Sequence, residues 1–447
     1  MDLLNGNLKT LYLKYLTASF GSALITSIYG LVDMVMVGQY HGPSGSAAMA
    51  VIAPVWNIIY SFGLLSGIGG SVLFSSCRGR GDRSASNEYF SAAVILTSAF
   101  AAILWCVVAF FDKPLLLLFG ADETLLPLAK QYLLPVKFTV PVFLFMQLLS
   151  AFLRNDSNPG LATKAVVMGG IFNIAGDYLL VFTFDMGILG AGIATACGAC
   201  LSLAVMSMHF FSTKNTLSFA RPSRFSLKFR QILTTGFSTF LIDIAMGILT
   251  MLFNRQIMRY SGTDALAVYG IIVNISTFVQ CCAYGIGQAA QPILSTNFGA
   301  EKKERIRLLL RYNLISVAAV SGFWVALTMA IPQAFVYLFM APTESVLIAA
   351  PGIMRTYCAS FLILPLNIYS TYYFQAVMKP ATSFFISVAR GIVISGTLIL
   401  LLPIFGGGTA LWFAMPITEL MVAIFVIYSM IKHVKHLRFI NQPAENL

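Results

Sequence analysis

Long apolar stretches separated by short polar segments run along almost the whole chain. A helix needs about 20 mostly apolar residues to cross the hydrocarbon core of a bilayer. Twelve stretches meet this length, within a range of ten to thirteen that the pattern allows, so we expect an all-α polytopic membrane protein. The predicted spans are 11–36, 47–76, 89–111, 127–152, 163–184, 188–212, 231–257, 266–294, 308–331, 347–377, 381–403 and 408–431.

Composition and charge agree with a membrane protein. Hydrophobic residues make up 58% of the 447 residues and charged residues 10%, against about 25% charged in soluble domains. The net charge of +11 does not indicate a nucleic-acid partner, because most Lys and Arg fall in alternate loops, as the positive-inside rule predicts. We therefore expect a cell-membrane protein of the bacterial inner-membrane type, with both termini cytoplasmic and its basic loops facing membrane lipid.

The two halves of the chain read as a tandem repeat. Six spans fall in each half, and an even number means that both copies enter the membrane in the same direction, which is a parallel repeat. The matching pairs are Gly42 with Gly262, Ala47 with Ala267, Ser75 with Ser295, Gly79 with Gly299, and Pro159 with Pro380. The predicted division is a first lobe 1–212, a solvated cytoplasmic linker 213–230 and a second lobe 231–447.

Two carboxylates lie inside predicted spans of the first half. They are Asp33 and Asp177, and an ionisable residue in a span costs roughly 2.5–3.5 kcal/mol on insertion scales, which makes each a functional candidate. Asn173 shares a helix face with Asp177, and Thr195 falls at the same depth in the outer half of the bilayer. The second half has lost all four polar groups, since the positions equivalent to Asp33, Asn173, Asp177 and Thr195 are Phe253, Ile394, Leu398 and Pro416.

This polar cluster has two interpretations. One is a structural set of hydrogen bonds that orients helices. The other is an exchangeable ion site, because two nearby carboxylates in a low dielectric cannot both ionise cheaply and oxygen ligands suit a hard cation. We favour the ion site for H⁺ or Na⁺, since a structural cluster does not need two acids. The cysteines and histidines of the chain are not grouped like metal ligands, and we expect no cofactor and no metal beyond this ion.

The chain resembles the multidrug and toxic compound extrusion (MATE) family. The resemblance rests on LVDMVMVGQYHGPSGSAAMA, GIGGSVLFSSCRGRGDRSAS, FLRNDSNPGLA, NIAGDYLLVF, MGILGAGIATA and QAAQPILSTNFGAEKKERI. It implies two six-helix lobes around a central cleft and antiport of drugs against Na⁺ or H⁺, the activity behind efflux-based antibiotic resistance. It also implies a cation site at Asp33, Asn173, Asp177 and Thr195. The chain departs from many members in having no proline early in its first span.

Residues for binding organic substrates are chosen by their position in the predicted spans. An adaptable site for varied organic cations is expected to combine Met and aromatic side chains with a few polar groups. The candidates are Tyr29, Met146, Gln147, Met168 and Phe172 in the first half, Asp243 at the start of the second, and Gln280, Gln288, Asn367, Tyr372 and Gln375 further along. Asp243 is equally well explained as a structural partner of another polar group.

Arg390 is the deep cation of the predicted spans, and we expect it to face protein, near Glu419, rather than lipid. The alternatives to an antiporter are a lipid-linked oligosaccharide flippase, which would be expected to carry more deep cations, an intramembrane aspartyl enzyme, and a channel or receptor. We predict a transporter of small organic molecules that is not an enzyme and acts as a monomer.

Overall fold

The computed structural model describes residues 2–339 and 343–439, and these residues form helices and loops without a β-strand. In this described part of the chain, twelve helices are long and apolar enough to cross a membrane, which confirms the predicted number. They are α1 (Leu8–His41), α2 (Ser44–Gly79), α3 (Arg83–Phe110), α4 (Leu125–Asn155), α5 (Pro159–Thr183), α6 (Gly187–Phe211), α7 (Phe225–Tyr260), α8 (Gly262–Gly299), α9 (Lys303–Ala330), α10 (Glu344–Ala376), α11 (Pro380–Leu411) and α12 (Ala414–Lys435).

The helix boundaries differ from the predicted spans mainly at the last connection. The twelfth span was predicted to begin at residue 408, whereas the uninterrupted helix α12 begins at Ala414. The backbone does break at Gly407, where φ is 64°, but helical geometry resumes at once and continues to Leu411. Glycine has no Cβ and adopts this left-handed conformation without steric cost, so two helical segments meet at Gly407, directly before the predicted start of the last span.

The tandem repeat is visible in the backbone. Residues with left-handed φ recur at spacings of 220 or 221, as do two short helices that the hydropathy pattern did not predict, Asp112–Leu118 and Pro332–Phe339. The recurring left-handed pairs are Gly42 with Gly262, Gly81 with Glu301, Ser157 with Met378, and Gly187 with Gly407. A non-glycine residue rarely adopts this conformation, so its recurrence supports two copies of one six-helix unit.

The contacts divide the chain into two compact units, Met1–Ile244 and Ala245–Leu447. The first unit includes the beginning of α7, which crosses α2 at very short range. A Cβ on Gly236 would lie 2.0 Å from the carbonyl oxygen of Leu65, and one on Gly69 would lie 2.3 Å from that of Ile232. Small residues permit this approach of two helix backbones in a membrane protein.

The linker 213–230 is largely exposed but is fastened to the start of α3. Glu88 Oε2 accepts hydrogen bonds from the backbone N–H of Ser223 at 2.6 Å and from its hydroxyl at 2.5 Å. Lys228 Nζ lies 2.9 Å from the same oxygen. Two further hydrogen bonds join the segments, Asn87 to Ser218 and the backbone of Ala220 to Ser91. The segment predicted as a solvated linker is thus attached to the first unit.

A buried polar cluster holds the beginning of the linker region against the ends of α4 and α6. Asp156 Oδ2 lies 2.8 Å from His209 Nε2 and accepts a hydrogen bond from the backbone N–H of Thr216, also at 2.8 Å. Arg78, near the end of α2, donates to the carbonyl oxygen of Thr216 at 2.8 Å. Asn158 Nδ2 contacts the other ring nitrogen of His209 at 3.0 Å. Three helix ends and the linker therefore share one network.

Candidate ion-binding site

Glycines bring α1, α4, α5 and α6 close together around the predicted acid cluster. A Cβ on Gly198 in α6 would lie 2.7 Å from the carbonyl oxygen of Gly169 in α5. One on Gly192 would lie 2.4 Å from the carbonyl oxygen of Tyr132 in α4, and one on Gly170 would lie 2.8 Å from a side-chain carbon of α1. Larger residues at these crossings would push the helices apart, so the glycines set how closely the polar side chains approach.

Asp33, Thr195 and Asn173 form one hydrogen-bonded group, and Tyr132 completes it. The hydroxyl of Tyr132 donates to Asp33 Oδ2 at 2.6 Å. The hydroxyl of Thr195 lies 3.4 Å from the same oxygen and accepts a hydrogen bond of 3.0 Å from Asn173 Nδ2. The structure thus joins three of the four predicted site residues across α1, α5 and α6, with α4 contributing the phenol.

Asp177, the fourth predicted residue, is completely buried and lies close enough to Asp33 for their charges to interact. Neither of its carboxylate oxygens has a hydrogen-bond partner among the described residues. The same holds for Asp33 Oδ1 and Asn173 Oδ1. Asp33 and Asn173 are 4% and 2% exposed. A buried carboxylate without partners is costly, so this cluster can accept protons or a cation.

A small cavity adjoins the cluster. Its volume is about 20 Å³, and its lining includes Tyr29, Met146, Asn173 and Thr195. That volume is enough for a particle of the size of water. The cavity therefore places two polar groups of the cluster and two of the predicted substrate-binding side chains on one surface.

The helix that carries Asn173 and Asp177 changes its geometry directly after the second of them. Residues Tyr178–Thr183 form a π-helical turn within α5. Such turns are rare inside helices and occur often at functional sites. The wider turn replaces the regular α-helical hydrogen-bond pattern with i→i+5 pairing next to Asp177.

The equivalent level of the second unit is an aromatic core. Phe253, which corresponds to Asp33, is 1% exposed and stacks on Tyr269 with ring centroids 5.0 Å apart. Tyr357 meets the same ring edge-on at 5.7 Å. The loss of the acid in the second copy is therefore accompanied by apolar packing, which supports a specific role for the acids in the first.

The other substrate-binding candidates of the first unit differ in exposure. Gln147 is half-buried and packs against Gly63 of α2. Met168 and Phe172 are 47% and 46% exposed on α5, so they are open to lipid or to a bound molecule. Asp243 is half-buried.

The candidates of the second unit are mostly inside its core. Gln280, Asn367, Tyr372 and Gln375 are buried, and Gln288 is half-buried. Tyr372 packs on Gly287, where an added Cβ would lie 2.5 Å from its ring. None of these five side chains lines the small cavity beside the acid cluster, and their role in substrate binding stays a prediction.

Arg390 pairs with Glu419, as the sequence analysis predicted. Arg390 Nε lies 2.8 Å from Glu419 Oε1, and the two side chains are 8% and 0% exposed. Asn367 Nδ2 donates to the other carboxylate oxygen at 2.6 Å. Arg390 lies in a second π-helical turn, Ala389–Val393. The deep cation of the second unit is thus neutralised by a buried partner.

Tyr132 is the functional candidate that the sequence analysis missed. It is 1% exposed and touches both Asp33 and Thr195. The sequence did contain a clue to this role. Tyr132 lies five residues into the fourth predicted span, at the same depth in the outer half of the bilayer as Thr195. A tyrosine is common enough in apolar helices that its type alone did not distinguish it.

Twelve apolar helices in two six-helix repeats, with a buried acid cluster inside the first repeat, are features of secondary membrane transporters. A family model described as MatE matches residues 18–179 and 238–401, once in each half. The chain therefore belongs to the MatE family, and it is a multi-pass membrane transporter rather than an enzyme.

Among the described residues, no group of three or more His, Cys, Asp or Glu side chains could hold a metal ion.

Individual relatives cover nearly the whole chain. The multidrug export protein MepA of Staphylococcus haemolyticus is 24% identical over 91% of this chain and 90% of its own length. MepA of Staphylococcus aureus is 23% identical over 87% and 86%. A solved outward-facing multidrug resistance MATE family transporter of the MOP superfamily superposes with a TM-score of 0.90 at 19% identity, covering 98% of both chains. This last likeness establishes the fold.

Proposed function

We propose that this chain exports amphipathic, cationic organic compounds from the cell in exchange for H⁺ or Na⁺. The observation that carries the proposal is the buried cluster of Asp33, Asn173, Asp177 and Thr195, in which four oxygen atoms have no donor among the described residues. Relatives named multidrug export proteins support the direction and the kind of substrate. We further propose cytoplasmic termini in a bacterial inner membrane, on the basis of the charge bias of the loops, and a monomer, because one chain contains both six-helix repeats.

The chemistry of the cluster fits either ion. Two buried carboxylates without a counter-charge favour uptake of a proton. Asp33 Oδ1, Asn173 Oδ1 and the oxygens of Asp177 form an oxygen set of the kind that a hard cation prefers. Tyr132 and Thr195 donate to Asp33 Oδ2, and Asn173 donates to the Thr195 hydroxyl in turn.

Coupling requires that the ion and the substrate bind the transporter states differently. The cavity that adjoins Asn173 and Thr195 is also lined by Tyr29 and Met146. Ion uptake at the acids would change the charge beside those two side chains, so a cationic substrate would bind less well to the loaded site. Alternating access of the two repeats then carries the ion inward and the substrate outward.

A flippase for lipid-linked oligosaccharides is less well supported. Such a protein would need accessible cations to bind pyrophosphate inside the membrane. Arg390 is buried and paired with Glu419, so its charge is already compensated. This arrangement favours export of cations over transfer of an anionic lipid-linked sugar.

The proposal is tested in everted membrane vesicles that contain the full chain. Uptake of a fluorescent organic cation is followed under a pH gradient and, separately, under a Na⁺ gradient. One gradient is expected to drive uptake, and Asp33→Asn and Asp177→Asn are each expected to abolish it while the protein remains folded and inserted. Asp122→Asn is the matched control, because Asp122 is an exposed acid with only local hydrogen bonds.

The outcomes separate the parts of the proposal. If only one of the two gradients drives dye uptake, the ion of that gradient is the coupling ion. Transport by the Asp33 and Asp177 variants at the wild-type rate would show that the cluster is structural and would refute the coupling role. Equal loss in the Asp122 variant would point to a general effect of charge on insertion.

A further inference from the structure

The second unit carries a groove between α9 and α12, at the end of the unit where the basic segment of α9 begins. Its volume is about 600 Å³. Three cationic side chains, Arg307, Arg311 and Lys435, line it together with an apolar floor. The apolar lining is formed by Leu310, Leu314, Ile315, Ala318, Met430, Ile431 and Val434. The groove is separate from the acid cluster, which lies in the first unit.

The two arginines project from one helix face. Arg307 and Arg311 are four residues apart in α9, the spacing that places side chains one above the other. Lys435 comes from the end of α12 on the opposite wall of the groove. Within the described residues, none of the three forms a salt bridge with a carboxylate. Among the described residues, the groove therefore concentrates positive charge without a paired carboxylate.

Arg307 has unused donors inside the groove. Its Nε and Nη2 are buried and have no hydrogen-bond partner among the described residues. Arg305, two residues earlier, instead donates to Asn297 Oδ1 at 3.0 Å. A buried guanidinium that lacks an acceptor is costly, so an anionic ligand with oxygen acceptors would satisfy it. Basic residues that only orient a protein in the membrane do not need to bury their guanidinium nitrogens in this way.

The rest of the lining defines the ligand more closely. Below the cations the walls are aliphatic, and Ile315 and Ile431 remain 60% and 51% exposed. A free phosphate ion would use the cations and leave this surface uncovered, whereas a phospholipid would use both parts. Basic pockets between transmembrane helices are suited to anionic lipid headgroups.

We propose that this groove is a binding site for an anionic phospholipid. Its phosphate lies between Arg307, Arg311 and Lys435, and an acyl chain runs along the aliphatic floor. The lipid would fill the space between α9 and α12 and stabilise the second unit. The site does not depend on the coupling ion or on the exported substrate.

The test measures lipid retention by the purified full chain with native mass spectrometry. Phosphatidylglycerol and phosphatidylcholine with identical acyl chains are compared, and the first is expected to be retained preferentially. Each basic side chain near an anionic headgroup is worth about a fivefold change in affinity. The double variant Arg307→Gln, Arg311→Gln is therefore expected to bind phosphatidylglycerol about 25-fold more weakly, and Arg307→Lys, Arg311→Lys is expected to retain most of the binding.

The control variant removes two positive charges at a different place on the protein. Arg80→Gln with Arg83→Gln changes two exposed arginines beside the start of α3 in the first unit, and should leave retention unchanged. Glycerol 3-phosphate in tenfold excess is expected not to displace the lipid, since it cannot occupy the floor.

Four results would overturn the proposal. They are equal retention of the two lipids, wild-type retention by the Gln double variant, an equal loss in the Arg80 and Arg83 control, and displacement by glycerol 3-phosphate. Binding that arises only after residues 440–447 are removed would assign the groove to the chain's own tail instead. Melting temperatures without lipid verify that the Gln variants fold.

Discussion

The hydroxyl of Tyr132 donates a 2.6 Å hydrogen bond to Asp33 Oδ2 across 99 residues of sequence. Tyr132 also lies 3.4 Å from the hydroxyl of Thr195. One phenol on α4 thus contacts two side chains from two other helices, α1 and α6. The relationship makes Tyr132 a positioning residue for the acid cluster, and its removal provides a sharp test of that cluster.

Tyr132→Phe is expected to change how strongly the cluster holds its ion without unfolding the protein. A hydrogen bond to a charged group contributes about 1.5–3 kcal/mol, so the ion concentration at half-maximal transport should shift by about tenfold or more. The measurement is the dependence of dye transport on the driving ion. Tyr15→Phe is the control, because it removes an equally buried phenol that donates to the Arg154 carbonyl oxygen; a similar shift there would contradict the positioning role.

Thr195→Val is expected to reduce transport strongly, whereas Thr195→Ser should preserve it. The hydroxyl accepts from Asn173 at 3.0 Å and lies within 3.4 Å of Asp33 Oδ2. Valine has nearly the same shape but leaves the buried Asn173 amide without its acceptor, at a cost of about 1–3 kcal/mol. Initial rates of dye transport at matched protein levels measure the effect. Wild-type transport by Thr195→Val would show that the hydroxyl is not needed, and a loss confined to Thr195→Ser would assign the role to the methyl group.

Glu419→Gln is expected to destabilise the second unit. It leaves Arg390 buried without its counter-charge, and breaking such a pair costs about 3–5 kcal/mol. The double variant Arg390→Met, Glu419→Leu should recover most of the loss, because apolar residues of similar size often replace a buried pair at little cost. Melting temperatures in detergent measure both. If the double variant is stable but inactive, the pair has a role in transport beyond folding.

Glu88→Ala is expected to release the linker 213–230 from α3. The change removes the acceptor for Ser223 and the partner of Lys228. Ion pairs near the surface contribute at most about 1 kcal/mol, so tryptic cleavage after Arg224 in the purified protein should accelerate by about fivefold. Glu123→Ala, at an exposed site between α3 and α4, is the control. An unchanged cleavage rate in the Glu88 variant would show that the other hydrogen bonds suffice to hold the segment.

The amino-acid sequence by itself determined the class and the plan of this protein. Because a helix satisfies its own backbone hydrogen bonds and needs about 20 apolar residues to cross a bilayer, the twelve spans could be predicted directly. The tandem repeat followed from recurring glycines and prolines such as Pro159 and Pro380. The cost of an acid in lipid singled out Asp33 and Asp177, and the same cost led correctly to the pairing of Arg390 with Glu419.

The tertiary structure alone decided which helix faces meet. Lipid-facing and core-facing residues of a membrane helix are both apolar, so hydropathy does not show which way a side chain points. For this reason the sequence did not identify Tyr132 as the donor to Asp33, nor the burial of Tyr372 and Gln375 within the second unit. It also did not predict the attachment of the linker to Glu88, because that depends on hydrogen bonds between segments more than 100 residues apart in sequence. Such contacts form only when packing has fixed the rotation and spacing of the helices.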